Sequence, residues 1–156
     1  MSFSTDPTAK LKILSLDEGN AEVVVAQFNP KELQIDKTVP WQKHKDSKSD
    51  SPHLEFTGGE PMAMSFELLF DASEAANGDI QKQIDNLLKL ARIIEDKKRP
   101  HHIQIIWGDA ANLPEFKGVI ESVSTKYQMF SKTGKPLRAI ATVKCKQASE
   151  LSFKKK

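Results

Sequence analysis

Alternation of apolar and polar positions dominates this chain, and it predicts a series of strands. The clearest run sets Met62, Met64, Phe66, Leu68 and Phe70 on one face, against Ala63, Ser65, Glu67 and Leu69 on the other. A period of two over that length means one buried face and one wetter face. Phe66 and Leu68 are expected deep in the core, against Leu87 or Leu88. Leu137, Ala139, Ala141, Val143 and Cys145 share a face in the same way. Arg138, Thr142, Lys144 and Lys146 take the opposite side, where Ile140 is the one apolar residue. Shorter strands are expected over Lys10 to Leu16 and Ala21 to Phe28. The turn-forming Asp17-Glu18-Gly19-Asn20 joins them as a hairpin. Asn29-Pro30 breaks the run. Glu32 to Val39 and Ile103 to Trp107 add two more, and Leu54 to Thr57 leads into Gly58-Gly59. Glu115 to Tyr127 is the longest, with Val119, Val123 and Tyr127 in phase, and Lys132 to Pro136 reads as a hairpin turn.

One stretch changes period. Ile80, Ile84, Leu87, Leu88, Ala91 and Ile94 recur at helical spacing, which predicts one amphipathic helix from Asp79 to Asp96. Asp79 is placed to cap it, Lys97-Lys98-Arg99 to face the negative end of its dipole, and Pro100 to stop it. Gln42 to His53 carries Lys, Asp and Ser and no hydrophobic side chain. It reads as a mobile loop that orders against a partner. The fold class is mostly β with one α-helix: packed or barrel-like antiparallel sheets with the helix flanking them. The whole chain, 1–156, reads as a single domain. Its margins are a mobile N-terminus at 1–9, the polar loop at 42–53 and a basic tail at 151–156.

Composition narrows the function. A chain of 156 residues can build a core without disulfide or metal. Charged residues make up 28% with a net charge of +2, so the charge is mixed. That speaks against a partner bound through phosphates, and no nucleic-acid partner is expected. Lys43-His44-Lys45 and Lys154-Lys155-Lys156 read as solvated loop and tail. The single cysteine, Cys145, allows no internal disulfide and fits a reducing compartment. There is no leader pattern and no apolar run near the roughly 18 residues that span a bilayer. Synthesis in the cytoplasm and no membrane span are therefore expected.

The search for chemistry finds little. His101-His102 is the one pair that suggests a metal, yet adjacent strand residues point to opposite faces and no further ligand stands nearby. Cys145 reads as a small buried side chain. Ser122 and Ser124 lack a nucleophile's glycine context. Gly58-Gly59 opens no helix, so a bulge or close backbone approach is expected there. Trp41 and Trp107 suit a core or a subunit interface. No catalytic residue, metal or cofactor is expected, which favours assembly over catalysis.

Several stretches, in order, resemble the tube-protein domain of contractile injection systems such as the antifeeding prophage and the Photorhabdus virulence cassette. They are Gln27-Phe28-Asn29-Pro30 with Trp41 downstream, and Leu54-Glu55-Phe56-Thr57-Gly58-Gly59. Next come Met64 to Phe70 with Asp71, then Trp107-Gly108 followed by Phe116-Lys117-Gly118-Val119-Ile120-Glu121. The last are Tyr127-Gln128-Met129-Phe130 and Gly134-Lys135-Pro136-Leu137-Arg138-Ala139. The resemblance covers about Leu11 to Lys146. It makes Phe28, Asn29, Pro30, Trp41, Gly58, Gly59, Phe70, Asp71, Trp107, Gly108, Phe116, Gly118, Gly134, Pro136 and Arg138 the structural or interface candidates.

That resemblance implies a homo-hexameric ring in the baseplate hub of a phage-tail-like particle, starting the inner tube and adapting it to a VgrG-like spike. Inner-tube or second initiator subunits, and a baseplate wedge, are the other implied partners. The particle is released or held at a membrane. Relatives often carry a C-terminal LysM module, and this sequence ends without one. The major inner-tube subunit and a monomeric ligand- or peptide-binding β-domain are the alternatives. Open strand edges that join neighbouring sheets would close such a ring.

Overall fold

The computed structural model describes residues 10–44, 53–73, 80–108 and 115–151. In chain order its strands are β1 (Leu11–Ser15), β2 (Ala21–Val25), β3 (Leu33–Asp36), β4 (Trp41–His44), β5 (His53–Phe56) and β6 (Ala63–Asp71). The helix α1 (Gln81–Lys89) follows, then β7 (Ile93–Ile94), β8 (Arg99–Pro100), β9 (Ile103–Trp107), β10 (Phe116–Phe130) and β11 (Pro136–Gln147). Seven strands form one antiparallel sheet in the order β2-β1-β9-β10-β11-β6-β3. β4 pairs with β5 and β7 with β8 as separate two-stranded ribbons. The mostly β architecture with one helix is as expected. The sheet is not a closed barrel: its end strands, β2 and β3, share no ladder among the described residues.

Side-chain alternation builds the core. Met64, Phe66, Leu68 and Phe70 of β6 stand opposite Cys145, Val143, Ala141 and Ala139 of β11, so large residues face small ones. All eight are buried, and Phe66, Leu68 and Leu87 share one cluster, in line with the pattern. Ile80, Ile84, Leu87 and Leu90 bring the helix onto this core. Burying such a side chain stabilises by roughly 1.5–3 kcal/mol.

Three expectations fail for identifiable reasons. The helix ends at Lys89, not Asp96. The N–H groups of Leu90, Ala91 and Arg92 bond to carbonyls three residues back, which tightens the helix end into a turn. Ile94 and Arg99 then enter the β7–β8 ribbon, and Arg99 is held by Asp17 instead of facing the helix dipole. Asp79, the expected cap, lies outside the described residues.

In β10 a bulge between Ile120 and Ser122 resets the phase. Phe116, Gly118 and Ile120 are buried before it, and Val123 faces the core after it, so Val119 and Val123 lie on opposite faces. Finally, Gln42 to His44 and His53 are paired strand residues, not loop, because β4 and β5 satisfy each other's backbone. The rest of that stretch, 45–52, lies outside the described residues, as do 1–9 and 152–156.

Candidate assembly surface

Residues 26–29 form a strap between the two ends of the sheet. The Ala26 N–H donates to the Leu11 carbonyl at 2.9 Å, and the Leu11 N–H donates to Asn29 Oδ1 at 3.0 Å. Across the strap, Gln27 Nε2 donates to the Asp71 carbonyl at 2.7 Å, and the Asp71 N–H donates to Gln27 Oε1 at 3.0 Å. The Gln27 amide thus behaves as one more peptide group beside β6. Phe28 bridges Leu69, and Pro30 is buried. Since β1 is second from one end of the sheet and β6 second from the other, the strap holds the sheet curled.

Asp71 is tied on its other side too. Ser73, through side chain and backbone N–H, and then Arg138 hold its carboxyl down at about 2. Arg138 Nε and Nη2 lie 3.0 and 2.9 Å from Asp71 Oδ2. Gln27, Asp71 and Arg138, all within motifs of the sequence, therefore meet at one place.

The open edges are unequal. β9 covers β10 only at Phe116 to Gly118, so beyond Gly118 the outer side of β10 carries no strand among the described residues. β10 to Phe130, β11, β6 and the strap with β3 form a four-stranded ribbon whose two outer strands pair with no further strand along these stretches among the described residues; the Gln27 carbonyl of the strap accepts from Lys10 Nζ at 3.2 Å. One face of this ribbon packs on the core. The other carries Ser122, Ser124, Lys126, Thr142, Lys144, Ser65 and Glu67. These polar groups are neither one-signed nor aromatic.

The β4–β5 ribbon is an arm that pairs with no other strand among the described residues. Pairing sets Trp41 opposite Phe56 and Lys43 opposite Leu54, so Trp41, Phe56, Leu54 and Lys43 share one face. The rings of Trp41 and Phe56 lie 5.5 Å apart, tilted by 58°, and remain 56% and 54% exposed. Leu54 is half exposed as well. The arm thus leaves an apolar cluster in water. Gly58, at φ 134°, turns the chain out of the arm, and no atom lies within 4 Å of where its Cβ or that of Gly59 would be. The close approach expected at that pair is found at Gly118.

Trp107 packs against the core, so the two tryptophans have different roles. Phe70 and Phe116 are fully buried. Gly108 ends β9, Gly134 forms the β10–β11 turn, and Pro136 opens β11.

The two histidines belong to a corner where the turn after β1 meets the start of β9, with the Leu16 N–H donating to the His102 carbonyl at 2.8 Å. Ser15 Oγ lies 2.8 Å from Nδ1 of buried His101, and His102 Nε2 donates to the Ala148 carbonyl at 2.8 Å. Asp17 accepts two 2.9 Å bonds from Arg99 and one of 2.8 Å from the His102 N–H. Arg99 foremost, then His102 and Lys97, hold the Asp17 carboxyl well below the usual carboxylate range against the opposing effect of burial. No group of three His, Cys, Asp or Glu able to hold a metal occurs among the described residues. Burial pushes the Cys145 thiol up to about 12, with Glu121 adding to it, so it is no ready nucleophile.

Neither Gln27 nor Asp17 stood out individually in the sequence. Only the first carried a signal, its place in the Gln27-Phe28-Asn29-Pro30 motif.

A family model described as contractile injection system tube protein matches residues 8–156. No curated protein sequence matches the chain. Among solved structures, the SPP1 Dit (gp 19.1) protein, described as a paradigm of the hub adsorption apparatus in Gram-positive infecting phages, is similar with a TM-score of 0.55. The identity is 10%, over 89% of this chain and 50% of that one, so this chain spans half its length and the likeness is one of fold.

Proposed function

The chain belongs to the contractile injection system tube protein family, and from that premise we propose that it is a non-enzymatic hub subunit whose six copies close a ring between spike and inner tube. It is a structural component of a phage-tail-like system. The observation that carries the finer reading is the ribbon β10-β11-β6-β3, whose outer edges pair with no further strand along most of their length among the described residues. Its strands alternate in direction. The strap and β3 run opposite to β10, so a neighbour's strap edge set beside β10 would continue the antiparallel order without a break. Such a head-to-tail contact is heterologous, and it closes into a ring when the rotation between copies allows. The helix and the β1-β2-β9 half occupy the core side of the ribbon. The polar face is therefore the one with room to line a lumen.

The arm supports contacts beyond the ring. Its Trp41–Phe56 cluster suits a VgrG-like spike, an inner-tube subunit or a second initiator ring, with a baseplate wedge as a further partner. Synthesis and assembly in the cytoplasm, and one domain spanning the chain, go with this reading. No described helix is long and apolar enough to cross a membrane.

A second reading, the major inner-tube subunit, is favoured by one feature. The arm leaves β3 at the level of Ala63, while exposed Tyr127 and Phe130 lie near the far end of β10. Apolar surface at both ends of the ribbon suits repeated stacking. Mass measurement of the assembled particle tests the proposal. Six copies per layer are expected, and a single copy inside the particle would overturn the ring.

A further inference from the structure

The polar face of the ribbon holds one apolar row. Phe28 bridges Leu69, Leu69 pairs with Ile140, and Ile140 pairs with Lys126, so these four residues stand side by side across the strands. The rows beside it are polar: Glu67, Thr142 and Ser124 in one, Ser65, Lys144 and Ser122 in the next. Leu69 and Ile140 are half-buried by their neighbours, but Phe28, which bridges no strand besides β6 among the described residues, is 49% exposed. At the opposite open edge the row ends on exposed Lys126.

We propose that the seam between two copies is set in the register that places Phe28 of one copy against Lys126 of the next. This rests on the edge-on ring above and adds its register and anchor. The alternatives are few. A shift of one residue would turn the polar face of one copy against the core face of the other. A shift of two one way sets the Phe28 ring beside Ser124, which offers almost no apolar surface, and a shift of two the other way sets it beside Met129 but breaks the row, because Met129 pairs with Arg138 and not with Ile140. Lys126 offers four methylenes to cover the ring and an ammonium that attracts its face. Met129, the next residue of β10 on that side, pairs with Arg138 after a bulge and lies diagonally within reach. Gln34, level with Ser65, Lys144 and Ser122 within one copy, then meets Ser122 of the neighbour, a polar pair on a polar row. The row Phe28–Leu69–Ile140–Lys126 becomes continuous from copy to copy. In a ring it forms an apolar collar at one height of an otherwise polar lumen.

Cysteine cross-linking of the full chain in assembled particles tests the register. Directly opposed residues in an antiparallel ladder lie about 4.5–5.5 Å apart at Cα, within the roughly 4.4–6.8 Å that a disulfide spans. The paired variant F28C with K126C, treated with a mild oxidant, should give a covalent ladder of chains. F28C with S124C should give little. A ladder from F28C with S124C alone would overturn the register while leaving the edge-on ring standing. Particles in which neither pair cross-links would overturn the register, and if F28C with M129C gave no ladder either, the edge-on ring would fall with it. Where the cysteine variants fail to assemble, K126M should assemble at the parent yield and K126D should not. Equal yields from those two would overturn the role of Lys126.

Discussion

Gly118 lies where β10 crosses the backbone of β11. A Cβ added there would fall onto the Lys146 carbonyl, and within 2.8 and 2.9 Å of the Lys146 carbonyl carbon and Gln147 Cα. Backbone cannot give way as a side-chain tip can. G118A is therefore expected to cost about 3 kcal/mol or more in urea unfolding, the upper range for overpacking. The sequence marked this glycine only through the family motif, since its reason is a contact with residues far along the chain.

Asp17 gives a second residue-scale expectation. Its folded carboxyl titrates below its unfolded value, so its contribution is whole above about pH 4 and is lost as pH falls toward the folded value. D17N should cost about 2–3 kcal/mol at pH 7, the range for hydrogen bonds to a charged group. The gap between variant and parent should then narrow in unfolding curves taken below pH 4. A constant gap would show that the carboxylate is not what holds the corner.

At the scale of elements, β6 and β11 were legible because each buries one face, so their alternation survives in the residue types. β4 and β5 were not. Their ladder is made by backbone groups, which leave no trace in the composition of Gln42 to His53, and their apolar residues, Trp41, Leu54 and Phe56, fall outside or at the margin of that stretch. The helix end was hidden for a different reason. Ile94 sits at helical spacing by coincidence, while Arg99 is drawn to Asp17, 82 residues away. The bulge at Glu121 likewise depends on how β10 pairs, not on its own pattern. The arm carries its own prediction. W41S with F56S removes apolar surface that is already in water, so stability should stay within about 0.5 kcal/mol of the parent. Assembly onto spike or tube should drop by about tenfold or more, equivalent to roughly 1.4 kcal/mol of lost contact. Unchanged assembly would make the arm an ordinary surface feature.

Among the described residues the molecule combines a strap that ties both halves of its sheet, two edges without a further strand and an arm that pairs with no other strand. Each is a poor choice for a monomer, because unpaired edges and exposed aromatics invite association. Together they suit a subunit finished by its neighbours, as expected of a tube-protein family member. Apart from the open edges expected from the outset, little of this assembly logic could be read from residue types. The edges exist only once seven strands have been ordered, and the polar row structure only once their register is known. Electron microscopy of the purified protein, alone and with its spike, decides whether copies join edge to edge. Closed six-fold rings, one layer thick, are expected, in which density runs unbroken from β10 of one copy to the strap of the next. Particles holding isolated copies, or copies joined through the helix with both edges bare, would contradict edge-to-edge joining.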